Sequence, residues 1–101
     1  MRIKVLETMK LPVNYNETPY NKRWQVKKAY IEEQEGLCCH CECSLEEDPP
    51  EEISSLLVDE SLFPKGFFNN PVHLHHSHAT GMTIGVVHAY CNAVLWQYHG
   101  E

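Results

Sequence analysis

The sequence predicts a small α+β domain stapled by a metal ion, and three observations carry that expectation. Residues 72–92 (VHLHHSHATGMTIGVVHAYCN) read as strand, glycine turn, strand and helix start, and they hold five of the seven histidines. Cys38-x-x-Cys41 and His88-x-x-Cys91 are two half-sites at the ligand spacing of tetrahedral zinc. Residues 19–35, opened by Thr18-Pro19 and closed by Gly36, carry the punctuation of a helix.

Length and composition bound the function classes. At 101 residues the chain makes one domain, near the size at which a hydrophobic core alone gives modest stability, so a structural metal would help it fold. No apolar run is long enough for a bilayer, so no membrane association is expected. Residues 1–13 carry three basic side chains and no apolar stretch of the kind a secretory signal has. The cysteines number five, an odd count, and their spacing suits metal ligation. A reducing cytoplasm with zinc is therefore expected over a disulfide framework. The net charge of −6 argues at first against a polyanionic partner. Its distribution softens that objection: residues 1–35 hold seven basic side chains against five acids, and residues 36–101 hold one lysine against nine.

In chain order, residues 2–6 alternate basic and apolar side chains (Arg2, Ile3, Lys4, Val5), which suits a short half-exposed strand. Residues 11–16 are expected to be irregular, with Pro12 stopping any helix. The helix then runs from Pro19 to about Glu35, with Thr18 as its N-cap. Trp24 and Ile31 share one of its sides, as do Val26, Ala29 and Tyr30. Lys22, Arg23, Lys27 and Lys28 fall elsewhere on its surface. They are either a solvated face or, as the only basic cluster in the chain, the DNA- or phosphate-contacting one.

The run Cys38-Cys39-His40-Cys41-Glu42-Cys43 is too dense in ligand types for free buried thiols. Cys38-x-x-Cys41 and His40-x-x-Cys43 are competing registers for one half-site. Residues 42–60 have eight acids, no basic residue and a central Pro49-Pro50, and read as a solvated loop with a short helix around 51–58. In residues 62–68 (LFPKGFF) the phenylalanines are expected to pack on the stapled core rather than to stack on bases. The first register, Cys38 and Cys41, finds its two missing ligands in His88 and Cys91, which would clip both ends of the intervening segment onto one zinc. Cys39 and Cys43 then have no role.

With His88 and Cys91 assigned to structure, His73, His75, His76, His78 and Asn92 remain. Here the chain resembles a known family. His73-x-His75-His76-x-His78-x-Thr80-Gly81, then Gly85 and His88-x-x-Cys91-Asn92, is similar to the HNH endonucleases with a ββα-metal (His-Me finger) fold, and nearest to the phage recombination endonuclease VII type. Gln34, Gly36, Cys38 and Cys41 match the upstream piece of that pattern and select the first register. The resemblance covers about residues 34–95. Three positions depart from it: His75 stands where this branch usually has aspartate, His88 replaces a cysteine, and Ile84 replaces an arginine, which removes one phosphate contact.

The resemblance implies a zinc-stapled ββα-metal nuclease and says nothing of the N-terminal third, whose strand and helix in 1–35 are read from the residues themselves. The expected parts are therefore an N-terminal strand and helix in 1–35, a zinc knuckle and acidic insertion in 36–71, and the ββα-metal motif in 72–98. The resemblance implies metal-dependent hydrolysis of DNA phosphodiesters. His76 would be the general base, and a divalent ion (Mg2+, Mn2+, Ni2+ or Zn2+) on His75 and Asn92 would neutralise charge on the leaving oxygen. His73 and His78 would orient His76, bind phosphate or complete the metal shell. The last helix, about residues 91–98, would bury Val94 and Leu95, with Trp96 or Tyr98 covering the site's edge. A phage or mobile-element origin, and with it a bacterial host cytoplasm, follows from the resemblance alone. DNA is the implied partner; a homodimer would help so small a chain span a duplex, and a phage protein is the other partner the resemblance admits. The rival class is a non-enzymatic zinc-binding adaptor or DNA-binding module. Such a protein needs the Cys/His staple but not His75, His76 and Asn92.

Overall fold

A two-stranded antiparallel hairpin, β1 (Val72–His76) and β2 (Thr83–His88), is the piece on which the rest of the chain is laid. The computed structural model describes residues 10–100, so the strand expected at residues 2–6 lies outside the described residues. The β-branched run of β2 (TIGVVH) is buried at every position but Ile84. A strand covered so fully must satisfy both edges. One edge pairs with β1, with Val72 opposite His88 and His75 opposite Gly85. The other edge is met by irregular chain. Thr83 N–H donates to Val13 O at 2.8 Å, Cys39 N–H donates to Val86 O at 2.9 Å, and the Gln34 side-chain amide bonds both N–H and C=O of Val86.

The hairpin is not regular. His75 pairs with Gly85 but His76 with Thr83, which leaves Ile84 as the extra residue of a bulge. The turn between the strands is tied by the Ser77 hydroxyl, which accepts from the N–H groups of Ala79 and Thr80. Gly81 sits at φ 81°, and a Cβ there would meet Asn16 Nδ2 at 2.8 Å. The turn thus needs glycine both for its backbone and for the close approach of residues 14–16.

Helix α1 (Arg23–Glu33) buries Val26, Ala29 and Tyr30, and the Tyr30 hydroxyl reaches Thr83 Oγ1 at 2.9 Å. Its start differs from the sequence expectation. Residues Tyr20–Lys22 form a 3-10 turn, and Thr18 is not an N-cap, because its hydroxyl turns back to donate to Asn14 O at 2.7 Å. Its end is as expected: Glu35 and Gly36 take positive φ, and Gly36 N–H returns to Ile31 O at 2.9 Å. The short α2 (Glu51–Ser54) is the only α-helical turn within the acidic stretch.

Helix α3 (Ala89–His99) starts two residues earlier than expected. It buries Ala89, Cys91, Ala93 and Val94, whereas Leu95 is only half-buried. Gly100 closes it in the left-handed conformation. Trp96 and Tyr98, expected at the site's edge, are not among the residues that line the cleft holding His75, His76 and Asn92. Trp96 meets Phe63 edge-on at 5.5 Å, and the Tyr98 hydroxyl donates to Leu57 O, which ties α3 to the loop after α2. Among the described residues no helix is long and apolar enough to cross a membrane. The architecture is a small α+β one, in which α1 and α3 both pack on the hairpin and β2 is its buried strand.

Candidate metal centre and histidine cleft

Four ligand residues, three cysteines and a histidine, converge at the end of β2. Cys38, Cys41, His88 and Cys91 place their ligand atoms within 4.8 Å of one another, close enough to hold a metal ion such as zinc. Local structure explains the convergence. Residues 37–44 form a tight loop in which Cys38 N–H donates to Cys43 O and Glu42 N–H to Cys38 O, with Glu42 at φ 66°. The backbone N–H groups of His40 and Cys41 point at Cys38 Sγ, at 3.4 and 3.5 Å, as a thiolate requires. From the other side, His88 is the last residue of β2, and Cys91 lies in the first turn of α3.

The imidazole of His88 fixes its own tautomer. Its Nε2 lies 2.9 Å from Ser44 O and 2.7 Å from Glu47 O, and carbonyls only accept, so Nε2 carries the hydrogen. Nδ1 is then the lone-pair nitrogen, and it faces Cys41 Sγ at 3.4 Å and Cys91 Sγ at 3.6 Å. Carbonyl-backed histidine is the usual support of a metal ligand. The hydrogen bond from Cys91 is the main cause holding Cys38 down to about 4, and the same bond pushes Cys91 up. Buried thiols this close cannot all ionise without a cation among them. The competing His40/Cys43 register is not formed.

Cys39 and Cys43, without a role in the sequence reading, act through their backbone: Cys39 N–H bonds Val86 and Cys43 O bonds Cys38. Gln34 and Gly85 explain each other. A Cβ on Gly85 would lie 2.8 Å from Gln34 Oε1 and 3.0 Å from Cys39 Sγ, so glycine is what lets the knuckle and the Gln34 amide close onto β2.

The remaining histidines face elsewhere. His73, His75, His76, His78 and Asn92 all line one open cleft of about 970 Å³. The lining takes in every residue of β1, Val72–His76, and the bulge lies opposite the His75–His76 step. His75 is the most enclosed of the five, at 5% exposure.

His73 has a defined task. Its Nε2–H donates to Phe67 O at 2.8 Å, so Nδ1 accepts, and the Asn92 amide nitrogen donates to it at 3.1 Å. This leaves the Asn92 carbonyl oxygen as the amide atom with lone pairs to offer a cation. Burial, above all, lowers the pKa of His73.

His76 is held by aromatic stacking. The Tyr15 ring lies parallel to it, with centroids 3.9 Å apart and planes at 6°. The Arg23 guanidinium also lies 3.9 Å from the Tyr15 centroid. Two groups that close to one ring centre must take opposite faces, which makes an Arg23–Tyr15–His76 sandwich. Arg23 is fixed in turn by donating to Thr18 O and Tyr15 O, both at 3.2 Å. His78 meets His76 edge-on at 5.2 Å. Burial first, then the charges of His78, His75 and Arg23, lower the pKa of His76.

The basic cluster of α1 divides. Arg23 and Lys27 line the cleft, while Lys22 and Lys28 do not. Lys27 is half-buried rather than solvated, and burial lowers its pKa. Ile84 is 43% exposed at the bulge and does not line the cleft. The phenylalanines are half-buried and are not among the residues packed against the buried core cluster: Phe67 meets His73 edge-on at 4.5 Å, and Phe63, Phe67 and Phe68 contact one another. Tyr15 and Tyr20 are cleft residues that the sequence did not mark. In comparisons with known proteins, no family model, no curated protein and no solved structure matches the chain, so its residues alone speak for what it does.

Proposed function

We propose that this chain is a metal-dependent DNA endonuclease of the HNH type, built on a zinc-stapled ββα-metal finger. One observation carries the reading. A single open cleft collects four histidines, Asn92, Arg23 and Lys27, while a separate, closed Cys/His cluster accounts for structural metal binding. Structural zinc sites are closed, whereas catalytic sites keep open positions.

In this reading Cys38, Cys41, His88 and Cys91 hold zinc. His75 and the Asn92 carbonyl oxygen are the residues that would hold a divalent ion, with His73 orienting Asn92. When bound, that ion would supply Lewis-acid stabilisation of the phosphate and leaving oxygen. His76 takes a proton from the attacking water, its ring plane fixed by Tyr15. Arg23 and Lys27 position the phosphodiester backbone.

The test is plasmid cleavage by the zinc-loaded protein across a panel of divalent ions. Nicked or linear product in the presence of at least one ion supports the reading. Intact plasmid with every ion would favour a zinc-binding adaptor, which has no use for the cleft.

A further inference from the structure

We propose that the cleft admits a single-stranded segment of DNA, with bases stacking on Tyr20 and Trp24 while Arg23 and Lys27 hold its phosphates. The inference names the substrate form for the hydrolase reading above and rests on it. Tyr20 and Trp24 line the same cleft as His75 and His76, yet they stand 85% and 55% exposed. Large rings left in water at the mouth of a cationic cleft are a stacking platform in want of a partner.

Each ring has a cation beside it. The Arg23 guanidinium lies 5.9 Å from the Tyr20 centroid, and the Lys28 ammonium lies 5.5 Å from that of Trp24. Alternating rings and cations suit a strand whose bases and phosphates alternate in the same way. Arg23 uses Nε and one terminal nitrogen on backbone carbonyls, which leaves further N–H groups for an anion. In a chain of net charge −6, the meeting of Arg23 and Lys27 in this cleft is the local complement to a polyanion. A duplex keeps its bases stacked on one another and offers these rings nothing to stack on.

The test reads binding with the base removed. Zinc-loaded, full-length His76→Ala, with no other divalent ion, is titrated into a labelled oligothymidine of about 12 nucleotides. A hairpin duplex is titrated in parallel, both followed by fluorescence anisotropy. The single strand should bind more tightly than the duplex. Trp24→Ala and Tyr20→Ala should each weaken it by about 5- to 100-fold, with duplex binding unchanged and Trp24→Phe recovering most of the loss. Because both rings are exposed, melting temperature and zinc content should stay as in the parent.

Equal affinity for strand and duplex, or Trp24→Ala binding as the parent does, would overturn the proposal. So would a Trp24-dependent dimer that binds no strand, seen by sedimentation. None of these outcomes decides plasmid cleavage, so failure here and failure of the hydrolase reading are distinguishable.

Discussion

Two groups of ligand-type residues flank the same hairpin, one of three cysteines with a histidine and one of four histidines with an asparagine, and they are built in opposite ways. At one end of β2, Cys38, Cys41, His88 and Cys91 turn inward, three of them buried, and His88 is backed by two carbonyls. In the cleft, His73, His75, His76, His78 and Asn92 spread along an open wall, and those whose contacts are described each touch something different: a carbonyl, an amide, a tyrosine ring, another histidine. Convergence without space is the geometry of a staple; on the reading proposed above, the open wall is the one that does chemistry. Histidine stands in both settings, beside three cysteines in one and an asparagine in the other.

The largest effect should separate the two groups by stability. Removing zinc, or Cys41→Ser, should abolish cooperative melting by circular dichroism. Structural zinc typically contributes about 10–16 kcal/mol, more than a core of this size supplies. Asn92→Ala should shift the midpoint by only a few degrees. Melting that survives zinc removal would erase the distinction.

Next in size is a change of metal dependence confined to the cleft. Asn92→Ala should lose cleavage, with part of it restored by raising the divalent ion concentration. His75→Asp should shift preference toward magnesium or manganese, because a carboxylate is a harder ligand than imidazole. Identical ion profiles for His75→Asp and wild type would remove His75 from the metal's ligand set.

Much of this was legible in the sequence, and what was not has identifiable causes. Ligand spacing is a local property, so Cys38-x-x-Cys41, His88-x-x-Cys91 and the glycine turn could be read directly, and the structure brings the four ligands together. The start of α1 could not be read, because Thr18 chose between two local hydrogen bonds and took Asn14 O. Tyr15 carries no spacing signal at all; only the fold brings it onto His76. Lys27 and Lys28 look alike in sequence, but burial separates them. His73, which sequence left with three possible roles, instead hydrogen-bonds Phe67 O and the Asn92 amide, a pairing that no spacing announced.

A smaller effect probes how the staple and the hairpin are joined. Gly85→Ala should cost about 1–3 kcal/mol in denaturant melts, since its Cβ would press on Gln34 and Cys39. Zinc affinity should fall with it. An unaltered midpoint would mean the knuckle can shift away freely.

The smallest expected effect lies in the cleft. Tyr15→Ala should lower kcat by about 2- to 10-fold, the worth of one aromatic stack, while Tyr15→Phe keeps the ring and most of the rate. KM should move little, because Tyr15 holds His76 rather than the phosphate. Equal rates for both variants would show the stack to be incidental.

On the proposed reading the open group performs hydrolysis and the closed group does not. The measurement that meets it most directly is the DNA-cleavage rate of His76→Ala beside its zinc content. A loss of about 100- to 10,000-fold is expected, the usual worth of a general base, with one zinc still bound and no rescue by added divalent ion. Cleavage by His76→Ala at the wild-type rate would contradict that reading.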